Sequence, residues 1–197
     1  TVVLSLARQP DGTLWAATTD GLFKRSAVAP NEWTKALEGL HWDVSVGRGH
    51  GTEPYRLWAA GDGKLQWSTD GSTFSTLALP DNFPLLPQAL AAPGHLRVAA
   101  VPVVNPAPTP ATPAVLAWIF GGQGRLWRVS HTGAAPVDGA PTGSRLALAL
   151  SFSPGDSDEI VVGCGEPIAQ PPARPPALFD LPAPPAALYR ARVHQQG

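Results

Sequence analysis

Between Leu57 and Leu79 the chain alternates short apolar runs with tight polar turns. Leu57-Trp58-Ala59-Ala60 ends at Gly61-Asp62-Gly63, Lys64 to Ser68 ends at Asp70-Gly71, and Thr73 to Leu79 follows with alternating character. Apolar runs of this length separated by Gly/Asp turns predict three antiparallel strands. The same grammar fills the first 40 residues: Val2 to Leu6, Thr13 to Ala17, Leu22 to Arg25 and Trp33 to Leu37 are predicted strands, divided by turns at Gln9-Pro10-Asp11-Gly12, Thr18-Thr19-Asp20-Gly21 and Pro30-Asn31. Trp42 to Val46 opens the next pass. A third is predicted over Leu96 to Val101, Val115 to Phe120, Arg125 to Ser130 and Ala134 to Val137, and a fourth over Arg145 to Phe152, Glu159 to Cys164 and Ala187 to Val193. No stretch carries the 3.6-residue period of a helix.

Aligning the second strands sets LWAATTDGLFKR (14 to 25) beside LWAAGDGKLQW (57 to 67) and AWIFGGQGRLWR (117 to 128). Trp15 and Trp58 are 43 residues apart, Trp118 and Val162 are 44, and the middle interval of 60 is lengthened by a Pro-rich insert over 102–113. Four short antiparallel strands repeating every forty-odd residues are the signature of β-propeller blades. The expected architecture is therefore all-β, with about four four-stranded blades over 1–40, 41–80, 90–143 and 144–197. A lone four-stranded sheet cannot bury both faces, so blades stack around an axis, and Trp15, Trp58 and Trp118 are expected between neighbouring sheets. The fourth repeat supplies only three strands before Gly197, and the chain opens at Thr1 directly on a strand. The expectation is a larger ring, completed by further blades of the same polypeptide or by a partner subunit. A second Pro-rich insert, 167–185, and the first cannot extend a sheet ladder, because proline lacks the donor, and both are expected as extended surface loops able to dock a partner.

Ser68-Thr69-Asp70-Gly71-Ser72-Thr73-Phe74 resembles the Asp box of bacterial-neuraminidase-type, sialidase-like propeller repeats, Ser-x-Asp-x-Gly-x-Thr-Trp, in a form one residue shorter that ends in Phe. Ser26 to Trp33 keeps the outer spacing of that motif, and Ser130-His131-Thr132-Gly133 is a weaker echo. The segment from Asp11 to Arg25 also looks like the repeats of sensor-protein propellers. The resemblance implies that Ser68, Asp70, Gly71, Thr73 and Phe74 form a structural cap on the turn between third and outer strands, the carboxylate accepting backbone N–H groups and the aromatic packing under the turn. It also implies what a sialidase would need: an arginine cluster, a Tyr nucleophile paired with a Glu, and an acid Asp. Tyr55 and Tyr189 are the only tyrosines, and neither is surrounded by that set.

Composition narrows the function classes. At 44% hydrophobic and 15% charged residues the chain is globular, and no apolar run approaches the roughly 18 residues of a membrane helix. A net charge of −1 with no basic run gives no footprint for nucleic acid. Cys164 stands alone, so it makes no internal disulfide and is expected as a small buried residue within Ile160 to Cys164. The absence of Met and the opening at Thr1 read as a mature product trimmed of a leader or as a piece of a longer chain, with an extracellular or periplasmic location expected.

Candidate chemistry is sparse. His41, His50, His95, His131 and His194 lack metal-ligand spacing, so no metal or cofactor is expected, and Arg48-Gly49-His50-Gly51 reads as a flexible turn. Gly121-Gly122-Gln123-Gly124 lacks the helix of a phosphate loop. Asp20, Asp62, Gln123 and Glu166 fall in the loops from second to third strand, which in propellers lie on the face where ligands commonly bind. They are the ligand-face candidates, against the alternative of solvated turns. The favoured function is a non-enzymatic binding or scaffold propeller that engages protein partners. A glycan-active or carbohydrate-binding propeller and the sensor domain of a signalling protein are the alternatives.

Overall fold

The computed structural model describes residues 1–61, 63–79, 96–101, 115–120 and 126–137, and the backbone of strands at 146–153, 156–165 and 187–192. Both Pro-rich inserts lie outside the described residues. Among the described residues, fifteen strands form four antiparallel sheets, each running in chain order from an inner to an outer strand. The first blade is β1 (Val3–Arg8), β2 (Leu14–Thr18), β3 (Gly21–Arg25) and β4 (Thr34–Glu38). The second is β5 (His41–Gly47), β6 (Arg56–Gly61), β7 (Leu65–Ser68) and β8 (Ser75–Leu77). The third is β9 (Arg97–Ala100), β10 (Ala117–Phe120), β11 (Leu126–Val129) and β12 (Ala134–Pro136), and the last sheet has three strands, β13 (Leu146–Ser153), β14 (Asp156–Gly165) and β15 (Ala187–Arg192). Among the described residues there is no helix. This is the expected all-β stack of propeller blades.

The inner strands are neighbours around the stack: β5 packs against β1 and β9, and β13 against β9. Between the sheets, alternation sends each face of a strand to a different neighbour. Trp15, Ala17 and Leu22 meet Val44, Leu57 and Ala59 of the second blade, and Trp58, Ala60, Leu65 and Leu77 meet Val98, Ala100, Ala117 and Ile119 of the third. Trp15, Trp58 and Trp118 are all buried, as their size and position predict. The second-strand tryptophans of the first two blades thus face the blade that follows, and in the second blade Leu57 and Ala59 face the blade before.

The first blade breaks this pattern on its outward face. Leu6 pairs with Ala16 as Val44 pairs with Ala59, so the two occupy the same place in their blades. Val44 is 3% exposed under the first blade, whereas Leu6 is 64% exposed, with Val2 and Val3 open beside it. In the same row Phe23 pairs with Ala16 and Lys35 with Phe23, and the Lys35 ammonium lies 5.5 Å from the Phe23 ring centre.

Several strands differ in extent from the alternation, β14 among them, which begins at Asp156 and not Glu159, and two of the shifts have a visible cause. β8 spans only Ser75–Leu77, because the backbone N–H groups of Ser72 and Thr73 are engaged by Asp70 and cannot join the ladder. β4 begins at Thr34, leaving Trp33 partly exposed with the Arg25 guanidinium 5.4 Å from its ring centre.

Candidate functional site

Of the four ligand-face candidates, Asp62, Gln123 and Glu166 lie outside the described residues. Asp20 sits at the tip between β2 and β3, in a turn tied by the Thr18 hydroxyl, which donates to Gly21 O (2.8 Å) and accepts from Gly21 N (3.0 Å) and Asp20 N (3.1 Å). Its carboxylate pairs with Lys35 at 3.1 Å, and Lys35 also reaches Glu38 at 3.0 Å. These two acceptors, Glu38 foremost, push the Lys35 ammonium above its ordinary pKa. The three groups are largely solvent-facing, so this is a surface ion triad of small energetic weight.

The segment from Ser68 to Phe74 is a fully engaged turn. Asp70 Oδ1 accepts Ser72 N at 2.7 Å, Thr73 N at 2.8 Å and the Ser68 hydroxyl at 3.0 Å. The backbone donors, Thr73 first and Ser72 next, hold the carboxyl well below the usual carboxylate range, at about 2. Ser68 Oγ in turn accepts Gly71 N at 2.8 Å. Gly71 has φ +67°, a left-handed backbone, and a Cβ there would lie 2.7 Å from Trp15 Cζ2 in the preceding blade. Its carbonyl accepts the Lys24 ammonium at 3.2 Å, and Phe74 meets the Trp15 ring edge-on at 6.1 Å. The aromatic therefore packs across the junction, on the neighbouring blade. The two fainter echoes share the innermost element of this geometry. Ser26 accepts Val28 N, and Ser130 accepts Thr132 N, each at 3.3 Å, as Ser68 accepts Asp70 N at 3.3 Å.

At the opposite end of the second blade lies a carboxylate that the alternation of its strand conceals. Asp43 is buried on β5; its Oδ1 accepts Val44 N and its Oδ2 accepts Val98 N of β9, both at 3.0 Å. Two residues on, Ser45 Oγ accepts Ala100 N at 3.0 Å. Burial raises the Asp43 pKa, opposed by hydrogen bonds from the Ser5 hydroxyl of β1 and Val98 N and by the Arg97 guanidinium, 3.9 Å from Oδ1. One side chain thereby touches the inner strands of three blades. A signal was present in the sequence: Asp is depleted in strand interiors, and Asp43 stands between Trp42 and Val44.

The loop from β5 to β6 is anchored, in contrast to the flexible turn expected of Arg48 to Gly51. Arg48 N donates to Val101 O and Arg48 Nη2 to Val115 O, both 2.8 Å away on the third blade. Gly49 is so close to Glu53 that a Cβ would lie 2.4 Å from the Glu53 carbonyl oxygen. Glu53 Oε2 accepts His50 N at 2.9 Å, and its carboxylate takes Arg56 Nη2 at 2.7 Å. Burial alone would raise the Glu53 pKa, but the Arg56 hydrogen bonds and His50 N outweigh it and the pKa is lowered. The Arg56 guanidinium lies 4.0 Å from the Trp67 ring centre and 5.5 Å from that of Trp58. At the edge of this loop the imidazoles of His50 and His131 stack at 4.0 Å, a contact between residues that no sequence spacing relates. Among the described residues no three His, Cys, Asp or Glu side chains group to hold a metal.

The class of protein these features define is a β-propeller. Among solved structures the chain is similar to that of YCF48 bound to D1 peptide, with a TM-score of 0.51 and 17% sequence identity over 85% of this chain. The match spans 52% of that chain, about half its length, and the likeness is one of fold. No family model matches the chain, and no curated protein matches it.

Proposed function

We propose that this chain is a non-enzymatic propeller module whose work is to bind protein, and that the open face of its first blade is covered in the working assembly by a further propeller blade. The observation that carries this reading is Leu6, 64% exposed at the place where the next blade holds Val44 at 3%. Exposed apolar residues grouped on an inner strand mark a surface made to be covered. The covered equivalent in the second blade supports, as the occupant, a sheet presenting a tryptophan and small apolar neighbours. That the similar YCF48 structure holds a peptide supports protein binding as the activity, and the hydrogen-bonded turn from Ser68 to Phe74 supports kinship with Asp-box propellers.

The test is Leu6→Cys combined with Cys164→Ser, probed with a thiol reagent in the native assembly together with the native mass. Protection of the introduced thiol in a particle larger than 20.6 kDa is expected. A 20.6 kDa monomer whose introduced thiol reacts freely would overturn the proposal.

A further inference from the structure

The first two blades share a register, and that register pairs an exposed tryptophan of the first with a covered phenylalanine of the second. Ala16 pairs with Phe23 and Phe23 with Lys35, as Ala59 pairs with Gln66 and Gln66 with Thr76. Trp33 stands two residues before Lys35, and Phe74 two before Thr76, so alternation sends both rings to the face turned toward the preceding blade. Phe74 is covered there, its ring meeting Trp15 edge-on at 6.1 Å within the apolar cluster of the first junction. Trp33 is 43% exposed, and its ring meets the Arg25 guanidinium of its own blade at 5.4 Å. The loop that carries it is tied by Ala29 N to Ser26 O at 3.3 Å, Glu32 N to Ala29 O at 3.2 Å and Val28 N to Ser26 Oγ at 3.3 Å. Leu6 near the axis and Trp33 at the rim are thus two exposed apolar residues of one face.

We propose that Trp33 is the rim anchor of the interface that covers the first blade, and that its partner is an aromatic ring on the second strand of the covering sheet, at the place Trp15 holds. The proposal rests on the reading of this face as a blade junction and adds to it a contact far from the inner strand. An edge-on aromatic pair contributes beyond the area it buries, and an enclosed tryptophan is among the side chains that dominate an interface. Its loop and the Arg25 guanidinium hold the ring before the partner arrives, which lowers the ordering cost of association.

Two measurements on the native assembly test this, both in the Cys164→Ser background. In the first, Leu6→Cys reports the opening of the interface through its rate of reaction with a thiol reagent. Adding Trp33→Ala is expected to raise that rate about tenfold or more, whereas Trp33→Phe, which supplies the ring type found at Phe74, leaves it near the parent value. In the second, Trp33→Cys carries a benzophenone maleimide, and mass spectrometry after irradiation is expected to find the adduct on the second strand of a sheet other than the four described. A protected Leu6→Cys thiol whose rate Trp33→Ala leaves unchanged, or adducts confined to the first blade, would overturn the rim contact and leave the covered inner face standing. A freely reacting thiol in the parent would overturn both.

Discussion

Asp43 and Asp70 fasten the second blade to its neighbours from opposite ends, and they do so under opposite electrostatic conditions. Asp43 is enclosed by inner strands, where loss of water raises its pKa despite four favourable partners. Asp70 stands at an exposed turn, where backbone N–H groups aimed at the charged form lower its pKa to about 2. The exposed carboxylate organises its own loop, and what the loop then delivers to the first blade is mainly apolar, Gly71 and Phe74 against Trp15, beside the Gly71 carbonyl that accepts Lys24. The buried carboxylate makes the inter-blade contact itself. The lesson is that the inner end of a blade junction is held by polar bonds across strands and the outer end chiefly by packing, to which the Lys24 ammonium on Gly71 O adds one polar bond across the junction.

Five substitutions at four positions sharpen that division. Trp15→Ala removes the surface on which the outer end rests and is expected to cost about 3–5 kcal/mol in denaturant unfolding; a loss under about 1 kcal/mol would show that the outer end contributes little. Gly71→Val places a side chain against the Trp15 ring and strains a left-handed residue, so about 1–3 kcal/mol is expected from overpacking alone. Paired with Trp15→Ala the two costs should fail to add, since the clash partner is gone.

Asp43→Ala orphans Val98 N at the inner end, for an expected loss of about 1–3 kcal/mol. The sign of its pH dependence is separate. Since burial raises the folded pKa, stability from this group is fully present below the unfolded value near 3.8 and is lost as pH rises through the folded one. Asp43→Asn should therefore flatten the unfolding free energy above about pH 4, and a profile identical to the parent would remove Asp43 as its source. The smallest effect is expected from Asp70→Asn. Here the folded pKa is depressed, so its stabilisation is present above pH 3.8 and lost as pH falls toward about 2. The variant should unfold with a shallower acid limb, read by circular dichroism, and with partner binding unchanged.

Strand placement was legible because it depends on local alternation. Leu57 to Ala60, Leu22 to Arg25 and Ala134 to Val137 are found within a residue or two of β6, β3 and β12. The turn at Ser68 to Phe74 was legible for the same reason, since its hydrogen bonds span at most three residues. What alternation could not disclose is contact between blades. Asp43 meets Val98 across 55 residues, and His50 meets His131 across an interval lengthened by an insert, so neither spacing carries a local signature. The anchored loop at Arg48 escapes a sequence reading for a related reason: two glycines suggest freedom until a neighbouring blade supplies the carbonyls that restrain it.

The bonds from Asp43 to Val98 and from Ser45 to Ala100 each link residues 55 positions apart, on two successive outward steps of the same strand. A single such bond would set only how close two blades come. Two of them, a strand repeat apart, remove the freedom to rotate about the point of contact, as two pins fix a plate that one pin leaves swinging. The angle between the second and third blades is therefore written into the inner strands, and the Arg48 loop adds two bonds across the same junction. A connection of any length can be threaded between those strands without changing how many such steps complete a turn.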